Sequence, residues 1–118
     1  MGEVRAHVIL ENESDAWLKK TPRRIEIDAL VDTGAVMTLL PQDVVEALGL
    51  LLDGNVGRFL SLTIGDRQMD TDCLVGPPEC EPLVGQLVLE RLDLIVDPGR
   101  QTLSPRPESP FRPSLKLK

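Results

Sequence analysis

At 118 residues the chain fits one domain with a modest core and leaves no room for a second. A net charge of −6, with basic residues scattered except at Lys19-Lys20 and Arg23-Arg24, argues against a phosphate-tracking surface, so no nucleic-acid partner is expected. No apolar run approaches the roughly 20 residues a bilayer span needs, and the N-terminus lacks the basic-then-apolar order of a signal peptide; a cytoplasmic protein without a membrane partner is the expectation.

The aromatic residues are only Trp17, Phe59 and Phe111, so a core has to come from Leu, Val and Ile, which suit strands. Residues 3–10 place Val4, Ala6, Val8 and Leu10 on alternate positions, the period of a half-buried strand. The polar stretch 11–21 reads as a hairpin connection. Alternation resumes over 24–31, with Ile25, Ile27, Ala29 and Val31 on one face and Glu26 and Asp28 on the other, and runs into Asp32-Thr33-Gly34. After the apolar stretch 37–40, Pro41 suits a first helical residue, and Val44, Val45 and Leu48 form a stripe closed by Gly49.

Asp53-Gly54-Asn55 signals a turn, residues 58–64 alternate, and Gly65-Asp66 marks another turn before a strand at 68–75. Gly76-Pro77-Pro78 breaks the chain. Leu83-Val84-Gly85 then leads into a second short helix at 86–91, with Leu87, Val88 and Leu92 toward a core. Residues 92–96 are strand-like, Asp97-Pro98-Gly99 is a turn, and 101–103 fits a last short strand. Prolines 105, 107, 110 and 113 make 104–118 an extended or flexible tail, so the domain is expected to occupy 1–103. Strand, glycine turn and short helix occur at 24–49 and, less fully, again at 71–91. Many short strands with one or two short helices argue for an all-β barrel.

Little nucleophilic or metal chemistry is available. His7, the single histidine, lies on a strand with alternating neighbours and gives no Ser-His-Asp or Cys-His device. Cys73 and Cys80 lack the close spacing of a structural zinc site and read as free thiols. Asn12-Glu13-Ser14 matches a glycosylation sequon, but without a secretory signal it marks only an exposed turn. The glycines near Asp53 lack the acidic positions of a calcium loop, so that segment is a turn.

Carboxylate chemistry remains. Asp32 follows the apolar run Ala29-Leu30-Val31 and precedes Thr33-Gly34-Ala35, which puts it at the end of a buried strand where the backbone turns sharply. Gly34, without a side chain, lets its N–H approach that carboxylate. The plainer reading is a turn-forming aspartate capping the next segment.

Taken with Thr38-Leu39-Leu40-Pro41 leading into a helix, and with Leu83-Val84-Gly85 and Leu89 about 50 residues after the Asp-Thr-Gly triplet, the chain resembles the retropepsin-like aspartic proteases of the small bacterial single-domain type. The resemblance covers about residues 3–103 and implies an all-β acid-protease barrel with one lobe per chain. It implies a homodimeric endopeptidase with Asp32 catalytic, a water activated between two Asp32 carboxylates, and no metal or other cofactor. Thr33, Gly34 and Ala35 would form the active-site loop, and Leu83, Val84 and Gly85 would support it. Asp53, Gly54, Asn55, Val56 and Gly57 would form the tip of a shortened flap over a peptide or protein substrate. The dimer would rely on the Asp32 loops and on residues 1–4. The alternative is a non-catalytic dimeric peptide-binding or assembly module of the same fold.

Overall fold

The structure, a computed structural model, describes residues 3–106. In chain order the elements are β1 (Arg5–Asn12), α1 (Glu13–Trp17), β2 (Arg24–Val31), β3 (Leu39–Pro41), α2 (Gln42–Leu48), β4 (Leu51–Asp53), β5 (Val56–Ile64), β6 (Arg67–Gly76), β7 (Leu83–Val84), α3 (Gln86–Leu92), β8 (Leu94–Asp97) and β9 (Thr102–Pro105). Seven strands hydrogen-bond in the order β1-β2-β7-β3-β6-β5-β4, and β1 also pairs with β5. That extra pairing closes six strands into a barrel, with β4 attached to β5. The expected all-β barrel is present, with three short helices where one or two were expected.

Alternation explains the barrel wall. Val4, just before β1, and Ala6, Val8 and Leu10 on it are buried, while Arg5 and His7 face outward. Opposite them on β2, Glu26 and Asp28 hold His7 between them at 2.9 and 3.2 Å, which raises the imidazole's pKa, chiefly through Glu26. The interior is mainly aliphatic, with Leu10, Leu40, Leu48, Leu60, Leu62 and Leu92 fully buried. Both cysteines are free; burial pushes the Cys73 thiol up to about 11.

Three local expectations are corrected. The triplet at Asn12 is not an exposed turn: Asn12 is buried, its side-chain Oδ1 accepts from the Ser14 N–H to cap α1, and its Nδ2 donates to Leu48 O and Gly49 O at 2.9 and 3.1 Å. A buried carboxamide can satisfy both of its ends only between such partners. Pro41 is the last residue of β3 and the N-cap of α2, because its extended ψ of 151° keeps it in the strand ladder. Leu87 is exposed, whereas Val88, Leu89 and Leu92 are buried; the 3.6-residue period puts 88, 89 and 92 on one face and turns 87 away from it.

After α3, β8 and β9 form a separate two-stranded sheet that runs to Pro105, and the Arg106 guanidinium bonds the Asp93 carboxylate at 2.6 and 3.0 Å. Residues 107–118 of the expected tail, and Met1 and Gly2 of the expected interface segment, lie outside the described residues. Among the described residues no helix is long and apolar enough to cross a membrane.

Candidate active site

The loop after β2 is fixed by β7 and α3. β7 runs parallel to β2, with Leu30 opposite Leu83 and Val31 opposite Val84, and the Asp32 N–H continues that ladder to Val84 O at 3.0 Å. The chain then turns back, and the Ala35 N–H donates to Asp32 O at 3.1 Å. The first turn of α3 grips the far side of the loop: the Gln86 N–H donates to Ala35 O at 2.7 Å and the Leu87 N–H to Val36 O at 3.1 Å. Two N–H groups that a helix start leaves without intrahelical partners are thereby satisfied by the loop.

Gly85 permits this grip. A Cβ there would meet Val36 O at 2.6 Å and Met37 O at 2.7 Å, so no larger residue fits without backbone movement. Gly34 serves the carboxylate: its N–H donates to Asp32 Oδ1 at 2.9 Å, and a Cβ on it would lie 3.3 Å from the same oxygen. A carboxylate that accepts a main-chain donor is held in orientation. Asp32 and Ala35 are half-buried, while Thr33 and Gly34 are exposed. The loop therefore offers one carboxylate at the edge of the barrel, with its outer face uncovered in the single chain.

The structure brings Asp32, Gly34, Ala35, Val84 and Gly85 together. The segment from Asp53 to Gly57 is a hairpin, but only Gly54 and Asn55 form its turn; Val56 and Gly57 belong to β5, and Gly57 is buried against Cys73 and Leu50. The tip leans on β6, where the Val75 N–H donates to Asn55 O at 2.8 Å. Beneath it is a cavity of about 480 Å³ lined by α2, the hairpin and Val75, Gly76 and Pro77, a lining that includes none of residues 32–35. Register explains the separation. β3 runs antiparallel to β7 from Leu39 opposite Leu83, so Pro41 and its partner Gly76 lie toward the end of the sheet away from Asp32.

The sequence reading did not single out Gln86 or the main-chain oxygens of Val36 and Met37. The available signal was a glycine immediately before a helix, where a capping side chain is usual. Thr38, just before β3, is also buried, and among the described residues its Oγ1 has no hydrogen-bond partner. Among the described residues no group of three or more His, Cys, Asp or Glu side chains is placed to hold a metal ion.

No protein-family model matches the chain, and no curated protein matches it. Solved structures do. The retroviral protease-like domain of Ddi1 from Leishmania major is 13% identical and aligns over 92% of this chain and 98% of its own, with a TM-score of 0.58. A retropepsin-like aspartic protease from Rickettsia conorii is 23% identical and aligns over 81% of this chain and 85% of its own, with a TM-score of 0.52. At these identities the likeness establishes the fold: the chain has a retropepsin-like fold.

Proposed function

We propose that the chain is an aspartic endopeptidase that works as a homodimer, each copy contributing one Asp32. The observation that carries this reading is the Asp32 loop: a carboxylate oriented by the Gly34 N–H, clamped by α3, and open on its outer face. One carboxylate is half of an acid-base pair, and a two-fold axis through the loops supplies the other. Two carboxylates about 3 Å apart cannot both ionise, so they hold one proton between them. The ionised one takes a proton from a water as that water's oxygen attacks the scissile carbonyl. The protonated one gives its proton to the carbonyl oxygen; as the resulting gem-diol collapses and the C–N bond breaks, the amine nitrogen takes the proton gained from the water and a diol hydroxyl returns a proton to the other carboxylate.

In this reading Thr33 hydrogen-bonds across the axis, Ala35 keeps the cleft floor small, and an extended peptide is held through its main chain. The 53–57 hairpin acts as a shortened flap, with Leu83, Val84 and Gly85 as the loop's support. The fold shared with a structure described as a retropepsin-like aspartic protease supports the assignment. The short hairpin, whose tip leans on β6, favours a second reading: a dimeric module that binds peptide without turning it over.

Incubation of the wild-type chain and of Asp32→Asn with a peptide library near pH 5 separates the readings. The expected outcome is cleavage by wild type, none by the variant, and dimers in both. Equal cleavage by the variant refutes the assignment, and saturable peptide binding with no hydrolysis by wild type selects the second reading.

A further inference from the structure

Trp17, at the end of α1, and Phe59, on β5, meet edge to face with ring centroids 4.8 Å apart, and Trp17 stays 58% exposed. Phe59 sits in the register break of β5 between Gly57 and Leu60, with a positive φ of 64°. Such a bulge re-aims a side chain, and here it turns the Phe59 ring toward the surface while Leu60 fills the core. Beside that ring lies a hollow of about 340 Å³, lined also by Glu13, Asp70, Asp72 and Arg91. Asp72 is already engaged: its carboxylate lies 3.2 Å from Nε of Arg58, whose guanidinium stands over the Phe59 ring at 5.3 Å. Glu13, Asp70 and Arg91 make no ion pair among the described residues. Burial, and then the neighbouring Asp70 carboxyl, raise the Glu13 pKa, as expected of two carboxyls that share a recess with no cation between them.

We infer that this hollow is the docking site of the chain's own residues 107–118, with Phe111 covering Trp17 and Arg112 meeting Glu13 and Asp70. The inference is independent of the reading of Asp32. Position, charge and order select this occupant. The Arg106 N–H donates to Asp93 O at 3.0 Å and its guanidinium holds the Asp93 carboxylate, so residue 107 starts two positions along the chain from where Arg91 enters the rim of the hollow. Phe111 is five positions beyond Arg106, a reach of at most about 18 Å. Residues 107–118 carry Arg112, Lys116 and Lys118 against Glu108, whereas the hollow sets three carboxylates against Arg91.

The sequence order matches the lining. Glu108 comes first, where Arg91 is nearest, and Phe111-Arg112 follow, an aromatic ring for the aromatic pair and a guanidinium for the unpaired carboxylates. A tether this short gives an effective concentration on the order of millimolar, so contacts too weak to hold a free peptide suffice to hold this one.

Trp17 is the single tryptophan and reports on the hollow. Its fluorescence in the full chain is compared with that in Phe111→Ala/Arg112→Glu and in Glu13→Gln/Asp70→Asn, circular dichroism confirming that each is folded. Wild-type Trp17 is expected to be shielded from acrylamide, and both pairs to lose that shielding with a red shift of the emission. Arg112→Glu alone is expected to lose part of it, and adding Asp70→Lys to restore it. If the Glu13 and Asp70 variants fail to fold, the Phe111 and Arg112 variants, which change no described residue, still decide. Equal quenching of Trp17 in wild type and in the Phe111 and Arg112 variants overturns the docking. Shielding that is lost on dilution overturns it too, because a second copy then covers the hollow.

Discussion

Two arms of the barrel repeat one plan. The first runs from β2 through the Asp32 loop to β3 and α2, the second from β6 through Pro77-Pro78 to β7 and α3. Their helices are Gln42–Leu48 and Gln86–Leu92, each seven residues long, with Gln, Val, Glu and Leu at matching positions. Gln42 bonds Glu46 as Gln86 bonds Glu90, and each helix ends on a left-handed residue, Gly49 or Asp93. The arms interlock: the short strand of each pairs parallel with the long strand of the other, β7 with β2 and β3 with β6. Each helix start holds the opposite turn, α3 through the Gln86 and Leu87 N–H groups, α2 through the Asp43 carboxylate accepting from the Glu79 N–H at 2.8 Å. The difference lies in those turns. Only the first carries Asp-Thr-Gly, so the second arm is the scaffold for a carboxylate that it lacks.

The largest expected effect comes from the closest approach between the arms. Gly85→Ala drives a Cβ into Val36 O and Met37 O, both main-chain atoms, and is expected to cost about 3 kcal/mol of stability. Gly49→Ala in the first arm meets the guanidinium of Arg23, a side-chain group that can shift only at the expense of its bonds to Asp15, and takes a left-handed φ of 67°, so its cost is about 2 kcal/mol. Urea unfolding of both variants checks the ranking. Equal losses would mean that the clamp on the Asp32 loop is no tighter than an ordinary helix end.

Much of this plan is legible in the sequence because its signals are local. The β1 and β2 alternation, the Asp53-Gly54-Asn55 turn and Gly49 each follow from neighbours within a few residues. The echo between 24–49 and 71–91 is visible as well, but not its interlocking, since pairing of β7 with β2 joins residues more than 50 apart. Leu87 was misplaced for a related reason: three consecutive apolar residues in a seven-residue helix do not reveal which two the core takes. Asn12 looked like a surface sequon because its partners, Leu48 O and Gly49 O, lie 36 and 37 residues away.

A smaller effect distinguishes how the two arms are anchored. In the first, Arg23 precedes β2 and its N–H, Nε and Nη2 donate to the buried Asp15 carboxylate, which holds that carboxyl at about 2. In the second, Arg67 opens β6 and its Nη1 donates to Leu92 O at 2.7 Å, a main-chain partner, while its Nε lies 3.9 Å from the exposed Asp66 carboxylate. Because Asp15's pKa is lower folded than unfolded, its contribution is present above the unfolded value and is lost as pH falls from 3.8 toward about 2. Hydrogen exchange across that window is expected to loosen residues 15–24 before 67–76, and Asp15→Asn to remove the pH dependence. Simultaneous loosening would show the two anchors to be equivalent.

The smallest effect tests the residues that precede the two short strands. Thr38 O accepts from the Leu74 N–H at 2.8 Å, as Pro82 O accepts from the Leu30 N–H at 3.0 Å, so the two occupy corresponding positions. Pro82 brings no polar side chain, whereas Thr38 buries a hydroxyl whose oxygen has no partner among the described residues. Burying such a group costs about 1–3 kcal/mol, and valine has nearly the same shape without it. Thr38→Val is therefore expected to leave stability unchanged or to raise it by about 1 kcal/mol in urea unfolding. A loss of stability in the variant would mean that the hydroxyl is satisfied in solution. The first arm would then gain at Thr38 a polar contact that its counterpart cannot make.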